Sequence, residues 1–171
     1  MRLDYIPEDA KEGNLPQLFA ADAESYGHVT RFARALANNP DVLEARQRYL
    51  AELEESAELD TRTIELIYAA VAQERECAYC IDSHATQLIE RFGFDGRVVD
   101  DLESIDTLDD REQQIVDFAQ AVAADPRRAG PIVDQLRDDG FPDRELVGIL
   151  TWITAAISAT TIADTLGIQP P

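Results

Sequence analysis

Apolar residues recur at three- and four-residue intervals along almost the whole chain. No segment sustains the two-residue alternation of a half-buried strand. This period predicts an all-α fold, divided by Gly, Pro and capping residues. Stretches 15–25 and 28–38 read as two short helices around Gly27. Asn39-Pro40 is a start signal, with Asn capping and Pro at the first helical position. The helix it opens carries Val42, Leu43, Leu50 and Leu53 and ends near Ser56. Asp60 or Thr61 caps the next helix, whose apolar face is Ile64, Ile67, Tyr68 and Val71. A helix from about Ala78 to Phe92 stops at Gly93, a left-handed terminator. A short helical turn is expected over 97–102. Thr107 opens a helix with Ile115, Phe118, Ala119 and Val122 on one face, ended by Asp125-Pro126. A further helix covers 131–139 and closes at Gly140. The last begins at Pro142 and runs to about Leu166, before Gly167. Its stretch LVGILTWITAAISATTI has no charge. It reads as a central core helix or a subunit contact, too short and polar to span a membrane.

At 171 residues, with no linker, low-complexity segment or internal repeat, the chain reads as one domain, 1–171. The N-terminus MRLDYIPEDAKEGN is charged and has no apolar h-region, so a cytoplasmic location is expected. The formal charge is −19, and Lys11 is the one lysine among 15 basic residues. Such a surface repels phosphate backbones and argues against a nucleic-acid partner. Its acidic residues are spread along the chain rather than gathered in a tail. An acidic, lysine-poor surface resembles that of proteins from salt-accumulating microbes, whose self-repulsion high salt screens, and a halophilic protein is expected.

The chemistry concentrates in ECAYCIDSHA, residues 76–85, which holds both cysteines and one of two histidines. On a helix, Cys77, Cys80 and His84 are three, four and seven residues apart and share one stripe. Cys77 falls at or just before the helix start, where free N–H groups and the helix dipole favour a thiolate. His84 lies one turn from Cys80, placed to exchange a proton with it. Cysteines at this spacing can close a disulfide if the first sits slightly outside the helix. Free cysteine is also a small buried hydrophobe, and a lone C-x-x-C is a modest signal. A zinc site would need a fourth ligand from His28, Glu65 or Asp82, so redox chemistry is favoured over metal without closing the metal alternative.

The spacing E-x11-C-x-x-C-x-x-x-H stands here as Glu65, Cys77, Cys80 and His84, within TIELIYAAVAQERECAYCIDSHA. It resembles the motif of the AhpD-like alkylhydroperoxidases, in the carboxymuconolactone decarboxylase superfamily. LDDREQQIVDFAQAV and LRDDGFPDRELVGILTWITAA are similar to later helices of the peroxidase-related subgroup. The resemblance implies a single AhpD-like all-α domain with its redox motif over 61–92, assembling as trimers or hexamers. It implies a hydroperoxide substrate, a dithiol reductant such as a lipoyl or thioredoxin-like protein, no cofactor and no membrane. Glu65 would be general base through a water, with His84 assisting. Cys80 would be the peroxidatic thiol, and Cys77 the more exposed resolving thiol that meets the reductant. The alternative is a disulfide-exchange or redox-sensing protein without efficient peroxidase turnover. Two features depart from the family: Tyr79 stands where some members carry a histidine, and Arg75-Glu76 replace small or amide residues before the first cysteine.

Overall fold

The structure, a computed structural model, describes residues 1–57, 59–99, 102 and 107–170. Among the described residues there is no strand. The helices are α1 (Leu15–Tyr26), α2 (Arg31–Leu36), α3 (Pro40–Ala57), α4 (Thr61–Glu74), α5 (Ala78–Phe92), α6 (Asp110–Ala124), α7 (Gly130–Asp138) and α8 (Asp143–Leu166). A 3-10 turn, Gly96–Val99, follows α5.

The centre is α4. Every residue from Ile64 to Ala72 is buried, because α5, α6 and α8 all pack on this helix. Ala69, Ala70 and Ala72 let those neighbours approach closely. Asp60 caps α4, its carboxylate accepting from the Thr63 N–H at 2.8 Å. The 3-10 turn is tied back by Gln73, which donates to the Val98 carbonyl (2.7 Å) and accepts from the Leu102 N–H (3.1 Å). Of the helical turn expected over 97–102, the described part is the 3-10 turn through Val99. Positions 100 and 101 lie outside the described residues.

Two boundaries differ from expectation for a local reason. The second helix starts at Arg31 rather than near His28, since the Thr30 hydroxyl accepts from the Ala33 N–H. The sixth starts at Asp110 rather than Thr107. Asp109 and Glu112 form a reciprocal capping box there, satisfying two orphan donors at once.

Helix α8, which carries the charge-free stretch, is the second pillar of the core, burying Ile149, Trp152, Ile153 and Ala156. Its 24 residues and mean hydropathy of 1.8 over an 18-residue window suffice, by length and composition, to cross a membrane, contrary to the sequence expectation. Over half of that window is buried against the rest of the chain, as in a core helix. Gly148 allows the crossing with α3: a Cβ there would lie 3.1 Å from the Ala57 Cβ. The two ends of the chain meet beside α8 and α2. The Arg2 N–H donates to Leu166 O (2.7 Å), and the Ile6 N–H donates to Arg34 O (3.1 Å).

Candidate functional site

The thiols are placed by the corner between α4 and α5. Glu76 turns this corner at φ 55°, in the left-handed region, a conformation costly for a residue with a Cβ. The Cys77 N–H then reaches back to Ala72 O at 3.0 Å, and Cys77 becomes the N-cap of α5 in extended geometry. Cys80 follows one turn later. The sulfurs lie 2.8 Å apart, so a disulfide of about 2.05 Å needs only a small further approach.

The expectation that Cys77 is the more exposed thiol is overturned. Cys77 has no exposed surface, while Cys80 retains 4%. Cys77 packs in a small apolar cluster with Ala35, Ala72, Ala163 and Ile168, to which Tyr5 and Leu166 from the two chain ends also belong. The corner that puts Cys77 outside the helix also tucks it beneath these terminal segments.

Glu65 and His84 form the second pair, with Oε2 and Nδ1 2.7 Å apart and both side chains buried. A solitary helix charge usually points outward. Glu65 is inside because the helix that bears it is surrounded, and the imidazole supplies its partner. An ionised carboxylate only accepts, so against it Nδ1 carries the proton and Nε2 is left as the base. The ring is fixed further by Tyr68, stacked on it at 4.5 Å and 22°. Trp152 meets Tyr68 edge-on at 6.0 Å.

Cys80, Glu65 and His84 all line one cavity of about 400 Å³; Cys77 does not, lying behind Cys80. Its walls include Tyr26, Phe32, Tyr68, Tyr79 and Trp152, with Arg46 and Asp22 among the charged groups. Arg46 was not anticipated as a site residue. The signal was present: it falls at i+3 from Leu43 and i−4 from Leu50, a charge on the inward stripe of α3.

Cys80 is pushed well above the usual thiol range. Its contact with Cys77 is the largest cause, burial the next, and Asp164 adds to it while Arg46 opposes it. The resting pair therefore holds Cys80 as a thiol, and an adjacent base is needed to activate it. Tyr68 is raised chiefly by burial, which keeps its hydroxyl neutral. Tyr79 is pushed up to about 12, burial again the largest cause. Its oxygen accepts from the Phe32 N–H at 3.2 Å, so it ties α5 to α2. Arg75 is engaged by the Thr160 and Thr161 hydroxyls of α8 (2.8 and 3.2 Å), and Glu76 is exposed.

His28, the remaining histidine and a candidate fourth metal ligand, is exposed with Nδ1 3.1 Å from Tyr26 O. Among the described residues, no three His, Cys, Asp or Glu side chains gather so as to hold a metal ion.

Residues 40–105 match the carboxymuconolactone decarboxylase family. No curated protein sequence matches the chain. Solved structures match over its full length. A peroxidase-related protein from Silicibacter sp. TM1040 is 22% identical with a TM-score of 0.82, covering 99% of this chain and 91% of that one. A peroxidase-related protein with an alkylhydroperoxidase AhpD core, from Ralstonia eutropha JMP134, is 21% identical with a TM-score of 0.81, covering 99% and 92%. The debrominase Bmp8, as a cysteine-to-alanine variant in complex with 2,3,4-tribromopyrrole, is 14% identical with a TM-score of 0.74, covering 100% and 93%. The family match spans the thiol motif, and the fold is shared with these structures from end to end.

Proposed function

We propose that the protein is an enzyme, a thiol-dependent hydroperoxide reductase acting through Cys80 and Cys77. The observation that carries this reading is one arrangement: two sulfurs in contact, with Cys80 lining the cavity that the buried His84–Glu65 pair also lines. Glu65 orients the imidazole, and Nε2 takes the Cys80 proton. The thiolate attacks the terminal peroxide oxygen and the O–O bond breaks. The departing alkoxide takes the proton back from the imidazolium and leaves as an alcohol, with Cys80 as sulfenic acid. The Cys77 thiol displaces water from that sulfenic acid and closes the disulfide. An external dithiol, of the lipoyl or thioredoxin-like kind, returns two electrons by exchange. Here Glu65 acts through His84, rather than through water on Cys80 directly.

The test is peroxide consumption with several dithiols at high salt. Cys80→Ser should abolish it, and full activity in that variant would sink the assignment. A buried, protonated Cys80 also supports the slower reading, disulfide exchange or redox sensing. Stopped-flow oxidation no faster than that of a free thiol would favour it. The fold shared with a debrominase bears on the electrons as well. The same dithiol could replace aryl bromine by hydrogen, yielding bromide, a proton and the disulfide. Bromide release from a bromopyrrole without peroxide turnover would move the assignment there.

We also propose a homo-oligomer. Val147, Leu150, Thr154, Ser158 and Thr161 make an exposed, uncharged stripe on α8, and Val42 and Tyr49 of α3, a helix that packs on α8, are exposed as well. On a chain of charge −19, this is the surface on which a second copy meets least repulsion. Val147→Asp should lower the mass measured by light scattering.

A further inference from the structure

Five of the twelve aromatic residues of the chain line the cavity beside Cys80. Tyr68 and Trp152 stand edge to face there, and Phe32 lies under the Arg46 guanidinium at 5.3 Å. Two donors on these walls lack strong acceptors. The Trp152 indole N–H has no partner, although the residue is only 4% exposed. Arg46 has no carboxylate partner among the described residues, in a chain with 34 carboxylates; its bond is to Ala155 O at 3.5 Å. The lining carboxylates are otherwise disposed. Asp22 accepts from the Thr30 N–H (2.6 Å), Glu65 holds His84, and Glu24 and Glu54 are exposed. Four acidic groups against two guanidiniums, Arg46 and Arg91, leave the lining net negative and disfavour an anionic ligand, whereas a neutral ring meets stacking surfaces on several sides.

We infer that the cavity selects a neutral, aromatic hydroperoxide. Its ring sits among Phe32, Tyr68 and Trp152, and Arg46 and the Trp152 N–H receive its oxygens. The inference rests on the hydroperoxide reading and adds the substrate class. It gives Arg46 a task in the first step. As Cys80 takes the terminal oxygen, the electron pair of the O–O bond goes to the inner oxygen. That developing negative charge is what a guanidinium without a carboxylate partner stabilises, until the proton from His84 arrives.

Trp152 is the one tryptophan of the chain, so its emission reports on this cavity alone. The wild-type protein is titrated with 2-phenyl-2-propanol and with tert-butanol, the alcohols left by cumene and tert-butyl hydroperoxide. The aromatic alcohol should change the emission with an apparent Kd at least tenfold lower. Equal responses overturn the aromatic site, whatever the turnover. In turnover, kcat/KM for cumene hydroperoxide should exceed that for tert-butyl hydroperoxide at least tenfold, and equal values overturn the selection. No turnover of either peroxide sinks the function proposed above, while a tenfold preference in the titration still supports the aromatic site. Arg46→Met should lower kcat/KM for cumene hydroperoxide tenfold or more, a larger factor than its loss in alcohol binding. Unchanged kcat/KM overturns the role of Arg46. Should that variant fail to fold, Trp152→Phe, which keeps a ring and removes the N–H, should lower kcat/KM severalfold. No change in that variant overturns the role of the indole.

Discussion

Tyr79→Phe separates a structural phenol from a proton carrier. The first turn of α2 has N–H groups without helical partners. The Thr30 hydroxyl takes that of Ala33, and the Tyr79 oxygen takes that of Phe32 at 3.2 Å. The phenol thus completes the cap of a six-residue helix from another element. Removing it leaves a partly buried donor unpaired, a loss of about 1–2 kcal/mol, or about 2–8 °C in Tm for a chain of this size. The pH dependence is specific. Tyr79 is raised from 10.0 to about 12 in the folded protein. A raised folded value means a contribution fully present below pH 10 and lost as pH climbs toward 12. Two pKa units correspond to about 2.7 kcal/mol. The wild type should therefore be the more stable protein at pH 7–10. Its advantage should vanish near pH 11 and reverse by about pH 12. Denaturant melts followed by circular dichroism in molar KCl, across pH 7–12, read this directly. Turnover at pH 7 should stay within about threefold of wild type, since a phenol this basic does not shuttle protons there. Equal stability of the two proteins at pH 7, or a turnover loss beyond tenfold with an unchanged melt, would refute the reasoning.

Glu65→Gln keeps the shape of the His84 contact and removes its charge. Turnover should fall by about 10²–10⁴, because the imidazole is no longer held as the competent base. Glu76→Gly should relax the corner at φ 55°, raising stability by up to about 1 kcal/mol with turnover unchanged. A lowered melt would show that Glu76 holds the corner by other means. Stability should climb with KCl toward molar concentrations, since the charge of −19 repels itself at low salt. A flat salt series would exclude that origin for the acidic surface.

Much of this architecture was legible because helix signals are local. Asp60, Gly93 and Gly167 act within one turn of their own position, and the helices begin or end where they stand. Where two local signals competed, the stronger reciprocal pair won. Asp109 with Glu112 fixed the start of α6, and Thr107 was left outside it. The motif spacing named Glu65, Cys77, Cys80 and His84, and the structure pairs them as Cys77 with Cys80 and Glu65 with His84. Arg46 and Trp152 escaped notice because a cavity is a relation between helices. No window on α3 or α8 shows what faces it across the space.

The order of exposure of the two thiols failed for the same reason, and the failure has a mechanistic consequence. From α5 alone, a residue at the N-cap is the outer one. The chain ends reverse this by lying over Cys77, held by Arg2 to Leu166, Arg31 to Gln169 and Arg34 to Ile6. After oxidation, only the Cys80 sulfur faces the cavity. A reductant approaching through the cavity must attack Cys80 and expel Cys77 as the buried leaving thiolate, an unfavourable exit. A reductant attacking Cys77 needs the terminal segments to lift, breaking hydrogen bonds at the edge of the fold rather than in its core. Removing residues 1–6 should therefore speed reduction of the disulfide by a protein dithiol severalfold and leave oxidation by peroxide unchanged. Stopped-flow measurement of each half-reaction separates the two, and unchanged reduction in the truncated protein would place the exchange at Cys80.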